Sequence, residues 1–325
     1  MIPSSFRVLL LAVIAATASL VSACGGANND VTPVATRTYD GQPRPFLMGI
    51  SSLPVQLDEG AYRQAFAIAG QTGELILIQR PPLWDEFTEG GTTSSETNAT
   101  TQGEKNLAAE NGLQFMVAID VLDPSTRAGV AVPADWTERS FADEKVQQAY
   151  LGYVEYMAKN YQPRYMALAV EVNLLYEQDR EEFEAFLPVY REAYDRVKRA
   201  SPDTMVFASF QYEELLGKVP WKKEHEPRWE LMSLLAPQLD AFAISTYPSF
   251  VYPSVEDVPA DYYTQIRDHT NLPVVIAEAG FSSATGPDGV NSGTEGDQAR
   301  FVTTLLSDAE AIYASAVIWF AGADP

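Results

Sequence analysis

Cysteine occurs once in the 325 residues, at Cys24, so no disulfide can form within the chain. Histidine is nearly as scarce. His225 and His269 stand apart, with no cysteine or second histidine at ligand spacing, so no zinc site and no other metal is expected. Basic residues are few: 22 Lys and Arg stand against 44 Asp and Glu, and the net charge of −22 argues against nucleic acid and against electrostatic attachment to anionic lipid. There is no phosphate-binding glycine loop and no dinucleotide fingerprint, so no cofactor is expected. The apolar run from Val8 to Ala18 is too short to span a bilayer as a mature helix. Apolar residues as a class are not scarce. At 46% hydrophobic content the chain can bury a large core, and a barrel of about 250 residues fits as one domain.

The N-terminus has the design of an export signal. Arg7 precedes the apolar run, and small residues lead into the sole cysteine. Val21-Ser22-Ala23-Cys24 resembles a bacterial lipobox, which implies removal of residues 1–23 and lipidation of Cys24, with the protein exported and anchored to the cell envelope through lipid alone. An ordinary secretory signal with an incidental cysteine is the alternative. Residues 24–45 are polar and rich in Gly, Pro and Asn, and read as a flexible tether.

From Phe46 onward, short apolar strands alternate with longer helical patterns. Strands are expected over Phe46–Ile50, Glu74–Gln79 ending at Arg80, Leu113–Ile119 ending at Asp120, Tyr165–Asn173, Thr204–Phe210, Asp240–Thr246, Val274–Glu278 and Ser315–Phe320. Helices are expected around Gly60–Ala69, Lys105–Asn111 and Asp143–Asn160. Another follows strand four, where Phe183, Phe186, Leu187, Tyr190, Tyr194 and Val197 recur at helical spacing as core packing. The stretch Thr88–Glu104 is of low complexity with no large apolar anchor, and is expected to be a mobile rim loop. Eight strands, each separated from the next by at least the dozen residues that a parallel crossover needs, predict a (β/α)8 TIM barrel over residues 46–325. The sequence reaches Pro325 without an eighth helical pattern, so the barrel is expected to lack its last helix.

Two of these strands end alike. In AVEVN the inward alternation is Ala169, Glu171, Asn173, and VVIAEAG places Glu278 behind a run covered on both faces. Both glutamates then lie at the carboxyl ends of strands, the barrel face where chemistry is built, and on opposite sides of its mouth. A protonated and an ionised carboxyl flanking an anomeric carbon are what glycosidic hydrolysis requires.

With that pair in view, the chain resembles the clan A glycoside hydrolases, and is most similar to the family 53 galactanase-like group. The resemblance is carried by VVIAEAGFSS, by DAFAISTYPSF, by the third-strand loop IDVLDPSTRAGVAVPADW and by GDQARFVTTLL. It implies a retaining hydrolase of β-linked polysaccharide or oligosaccharide. Glu278 is then the nucleophile and Glu171 the acid/base, their carboxyl groups about 5–5.5 Å apart. It further implies Arg80 beside the nucleophile, Tyr247 in contact with it, and Trp319 as the floor of a sugar subsite.

The residue before the acid/base departs from the pattern, being Val170 where the clan has Asn, and an apolar side chain cannot donate to a sugar hydroxyl. Asn173, Gln211 and Trp84 are further candidates for sugar contact, and Trp136, Tyr176, Tyr212, Trp221 and Trp229 also lie in or near top-face loops, where such residues pack the loops as well. Asp288, Asn291, Glu295 and Asp297 lie in a loop better read as solvated than as a calcium site. Val170 motivates a second expectation, a surface glycan-binding lipoprotein with a degenerate site. The anchor alone suggests a third, a two-lobed solute-binding lipoprotein.

Overall fold

A computed structural model describes residues 44–286 and 291–322. The signal peptide, Cys24 and nearly all of the tether lie outside the described residues, as does Asp288.

The chain forms one parallel sheet curled into a barrel. Its strands are β1 (Leu47–Ser51), β2 (Leu75–Arg80), β3 (Gln114–Ile119), β4 (Tyr165–Ala167), β5 (Met205–Phe207), β6 (Ser209–Gln211), β7 (Phe242–Thr246), β8 (Val274–Ala279) and β9 (Ala314–Trp319). β1 pairs with both β2 and β9, and the remaining neighbours follow chain order. Nine strands make eight staves, because β5 and β6 are one stave interrupted at Ala208. β5 pairs with β4 and β6 with β7, and the amide of Ser209 reaches back to Ala169 at 3.0 Å. This single barrel excludes the two-lobed solute-binding design.

Strands β2, β7 and β8 are buried along their whole length, which is why they read as unbroken apolar runs rather than as alternating ones. Around them lie α1 (Glu59–Thr72), α2 (Ser95–Glu110), α3 (Glu144–Tyr161), α4 (Val172–Gln178), α5 (Arg180–Ala200), α6 (Tyr212–Leu215), α7 (Leu231–Leu235) and α8 (Glu295–Ala311). On α5, Phe183, Phe186, Tyr190, Ala193 and Val197 form the buried stripe, while Leu187 and Tyr194 sit at its half-buried margin.

Three local expectations need correction. The low-complexity stretch is a helix, not a loop, from Ser95 on. Ser94 caps it by accepting from the amide of Thr97 at 3.0 Å, and Glu86 accepts from both Ser94 and Thr97. Its buried polar residues are partnered, Thr101 with Tyr156 and Glu104 with Arg80, Tyr62 and Tyr161. Polar residues with buried partners replace the apolar anchor whose absence suggested a loop. Second, the fourth stave ends as a strand at Ala167, and α4 starts at Val172. Third, the interval between β7 and β8 is crossed by 3-10 turns alone, at Pro248–Phe250, Val255–Asp257 and Thr264–Asp268. Pro248, Pro253 and Pro259 punctuate it and interrupt helical hydrogen bonding.

Candidate active site

Glu278 reaches the barrel mouth from β8, and a bulge sets its position. β7 and β8 run in register from Phe242 opposite Val274 to Ile244 opposite Ile276, after which Ser245 faces Glu278. Ala277 is thus an extra residue on β8, and a second register shift against β9 falls in the same segment. Such an insertion re-aims the side chain that follows it. Glu278 is 6% exposed, and the hydroxyl of Tyr247 donates to its Oε2 at 2.8 Å.

Glu171 is held by backbone strain rather than by a strand. Its φ of 54° and ψ of 46° place it in the left-handed region at the residue capping α4, a conformation that costs an L side chain about 1–2 kcal/mol. Its amide donates to Ser209 Oγ at 3.0 Å, which fixes that geometry. Its carboxylate, 3% exposed, accepts from Ser245 Oγ at 2.6 Å and lies 3.4 Å from Arg127 Nη2.

Arg127 is the cation at this site. It is fully buried, itself left-handed at φ 57°, and donates to both oxygens of Asp120 at 2.8 and 3.0 Å and to the carbonyl of Val170 at 3.0 Å. Arg80 is elsewhere. Its guanidinium turns to α2 and pairs with Glu104 in a cluster with Tyr62 and Tyr161, and Arg127, not Arg80, acts on the charge of Glu278.

Burial raises the pKa of both glutamates. Glu278 is pushed up to about 8, first by desolvation and then by the negative charge of Glu171, with the Tyr247 hydroxyl opposing. Glu171 is raised by desolvation, against which Arg127 and the Ser245 hydroxyl pull down. Each carboxylate disfavours ionisation of the other, as two like charges in one desolvated site do. Arg127 and the Ser245 hydroxyl favour the charge on Glu171, and the Tyr247 phenol and Arg127 favour it on Glu278.

A hydrogen-bonded brace supports both arms. The side-chain amide of Asn173 accepts from the amide of Gln211 at 2.8 Å and donates to its carbonyl at 3.0 Å, which ties α4 to the fifth stave. The Gln211 side chain caps the amide of Glu214 at 2.6 Å and donates to Glu213. Glu213, fully buried and raised in pKa by desolvation, accepts in turn from Thr246 Oγ1 at 2.8 Å, from the Tyr247 amide at 3.0 Å and from the Tyr262 hydroxyl at 2.7 Å. Asn173 and Gln211 thus spend their polar groups on the scaffold.

The aromatic candidates divide. Trp84 is buried, donates to the Ala131 carbonyl at 2.8 Å and meets Trp136 edge-on at 6.1 Å. Trp319 is half-buried with its ring 6.2 Å from Phe301 of α8, while its neighbour Phe320 packs on Tyr247 at 6.2 Å. Trp229 stacks on His269 at 4.1 Å. Trp221 lies edge-on to Phe250 at 5.5 Å, and these two rings line a cleft with Arg127, Gln211, Glu214 and Lys222.

Of the residues singled out in the sequence, the structure brings Tyr247 to Glu278 and keeps Arg80, Trp84 and Trp319 in other contacts. Sequence reasoning missed Arg127, Ser245 and Glu213. Asp120 and Glu213 carried the same signal as Glu171 and Glu278, a carboxylate closing a stave. Nothing in the spacing marked Arg127, which arrives on a loop.

No protein-family model and no curated protein sequence matches the chain. Solved structures do share its fold. An exo-β-1,4-mannosidase from Opitutaceae bacterium strain TAV5 superposes with a TM-score of 0.62 at 12% identity, over 84% of this chain and 52% of that one. A GH10 xylanase from Thermobacillus composti gives 0.55 at 15% identity, covering 86% and 85%. A structure from a study of two fungal β-1,4-galactanases gives 0.52 at 14%, covering 78% and 79%. This chain spans about half the length of that mannosidase. At these identities the likeness defines the class of fold, a TIM barrel also used by glycoside hydrolases.

Proposed function

We propose that this protein is a retaining glycoside hydrolase acting on β-linked polysaccharide or oligosaccharide, with Glu278 as nucleophile and Glu171 as acid/base. The observation that carries the reading is the pair itself: two buried carboxyl groups at the ends of the fourth and seventh staves, both raised in pKa by burial, with the charge of Glu171 acting on Glu278. Glu278 would attack the anomeric carbon as Glu171 protonates the departing oxygen, and water activated by Glu171 would then release the sugar. Turnover in that sense needs the charge on Glu278 and the proton on Glu171. That arrangement exists only while the pair holds a single proton, so the rate should fall as pH rises through about 8.

The test is hydrolysis of aryl β-glycosides, mannan, xylan and galactan by the wild-type chain and by Glu278→Gln. Loss of at least a thousandfold in kcat is expected, and unchanged turnover overturns the assignment. Val170 favours one second reading, glycan binding without turnover. Its side chain is apolar and 3% exposed, and its carbonyl is taken by Arg127. Saturable binding with no product on any of these glycans would select it. Export and lipid anchoring through Cys24 are part of the proposal, supported by the N-terminal sequence alone. Incorporation of a labelled fatty acid that Cys24→Ser abolishes is the expected result.

A further inference from the structure

Outside the catalytic pair, Glu177 from the last turn of α4, Glu214 of α6 and His225 of the following loop converge. One ligand atom from each lies within 4.8 Å of the other two. Two features separate this cluster from an ordinary charged patch. Glu214 is 1% exposed, and its Oε2 is buried without a hydrogen-bond partner. His225 Nε2 is likewise buried and unpartnered, 3.8 Å from Glu214 Oε1 and so beyond hydrogen-bond length. The other ring nitrogen, Nδ1, lies 2.8 Å from the carbonyl of Glu226. A carbonyl can only accept, so Nδ1 carries the hydrogen and the lone pair of the neutral ring is on Nε2, facing the two glutamates. Leaving such atoms unmade costs about 1–3 kcal/mol each, and imidazole held by a backbone carbonyl is the arrangement metal-binding histidines adopt.

We infer that Glu177, Glu214 and His225 form a binding site for a zinc-type divalent cation, which pins the loop after the fifth stave to α4. One imidazole with two carboxylates suits zinc, and the nitrogen ligand disfavours calcium. The backbone is already set for it. Gly217, at φ 69°, admits the carbonyl of His225 to a point only 2.0 Å from where a Cβ would stand, so no other residue allows that approach. The amide of Arg228 closes the loop on the Leu215 carbonyl at 2.9 Å. Lys222 holds Glu214 through Oε1 at 2.9 Å, which leaves Oε2 for the ion, and Arg228 holds Glu177. These cations orient both carboxylates. The sequence concealed the site because its ligands come from three separate elements.

The experiment is zinc titration of the purified, chelator-stripped full chain, followed by competition with a chromophoric chelator and by thermal melting. One zinc per chain is expected, with a higher melting temperature on binding and no competition from a tenfold excess of calcium. His225→Ala and Glu214→Gln should each weaken binding at least tenfold and abolish the thermal shift. Absence of saturable binding, or variants that bind as wild type does, would overturn the inference. Should a variant fail to fold, cobalt substitution in the wild-type chain decides: intense visible bands support the site, and their absence overturns it. Neither outcome bears on glycoside hydrolysis, which rests on other residues.

Discussion

Ser245 stands in register with Glu278 across the β7–β8 ladder and donates its hydroxyl to Glu171 at 2.6 Å. One small side chain thereby ties the two carboxyl-bearing staves together and lowers the pKa of one member of the pair. Ser245→Ala should reduce kcat about tenfold, the size expected for a hydrogen bond to a charged group. It should also raise the pKa of Glu171, because the lost hydroxyl favoured its charged form. The kcat/KM profile against pH reads both, and a profile unmoved at either limb would show that the bond plays no part in turnover.

Tyr247 is the counterpart on the other arm. Its hydroxyl favours the charge of Glu278, whose pKa is already about 8, so Tyr247→Phe should push that value higher. The alkaline fall of the rate should then move to a higher pH than in wild type, with KM little changed. A shift toward acid would contradict the hydrogen bond as described.

Arg127 compensates Asp120 and Glu171 together. Arg127→Met leaves the buried Glu171 and the half-buried Asp120 without their cation and should cost about 3–5 kcal/mol in urea unfolding. Arg127→Lys keeps the charge but not the planar fork that also reaches the Val170 carbonyl, so an intermediate loss is expected. Equal loss in both variants would mean that charge contributes nothing beyond packing.

Stability should fall as pH rises through the range set by Glu278. A carboxyl raised from its ordinary value of 4.5 to about 8 binds more proton folded than unfolded between those values. Its contribution is complete below 4.5 and lost above 8. Glu171 and Glu213, also raised by burial, act with the same sign. Denaturation midpoints measured from pH 4 to 9 should decline, and Glu278→Gln should flatten the decline.

The staves were legible because β2, β7 and β8 are buried on both faces and leave uniform apolar runs. Glu278 was legible for the same reason, since it follows a run that ends sharply, whereas the contact of Tyr247 with it was implied only by the clan A resemblance. The extent of the fourth stave was not, since the alternation through Glu171 and Asn173 continues past Ala167 while the backbone turns left-handed, and periodicity carries no record of φ. The first part of α2, before the expected helix at Lys105, was hidden because its stability lies in Thr101 and Glu104 meeting partners from distant segments. Arg127 was hidden likewise, its importance arising only when a loop folds back over Asp120.

Under the proposed hydrolase reading, the left-handed backbone at Glu171 sets the protein's durability against its work. Glycine or asparagine there would relieve the twist and remove a desolvated acid in one step, so both replacements should give a sturdier barrel. A selection for heat tolerance would discard this residue early, and a selection for product formation would keep it.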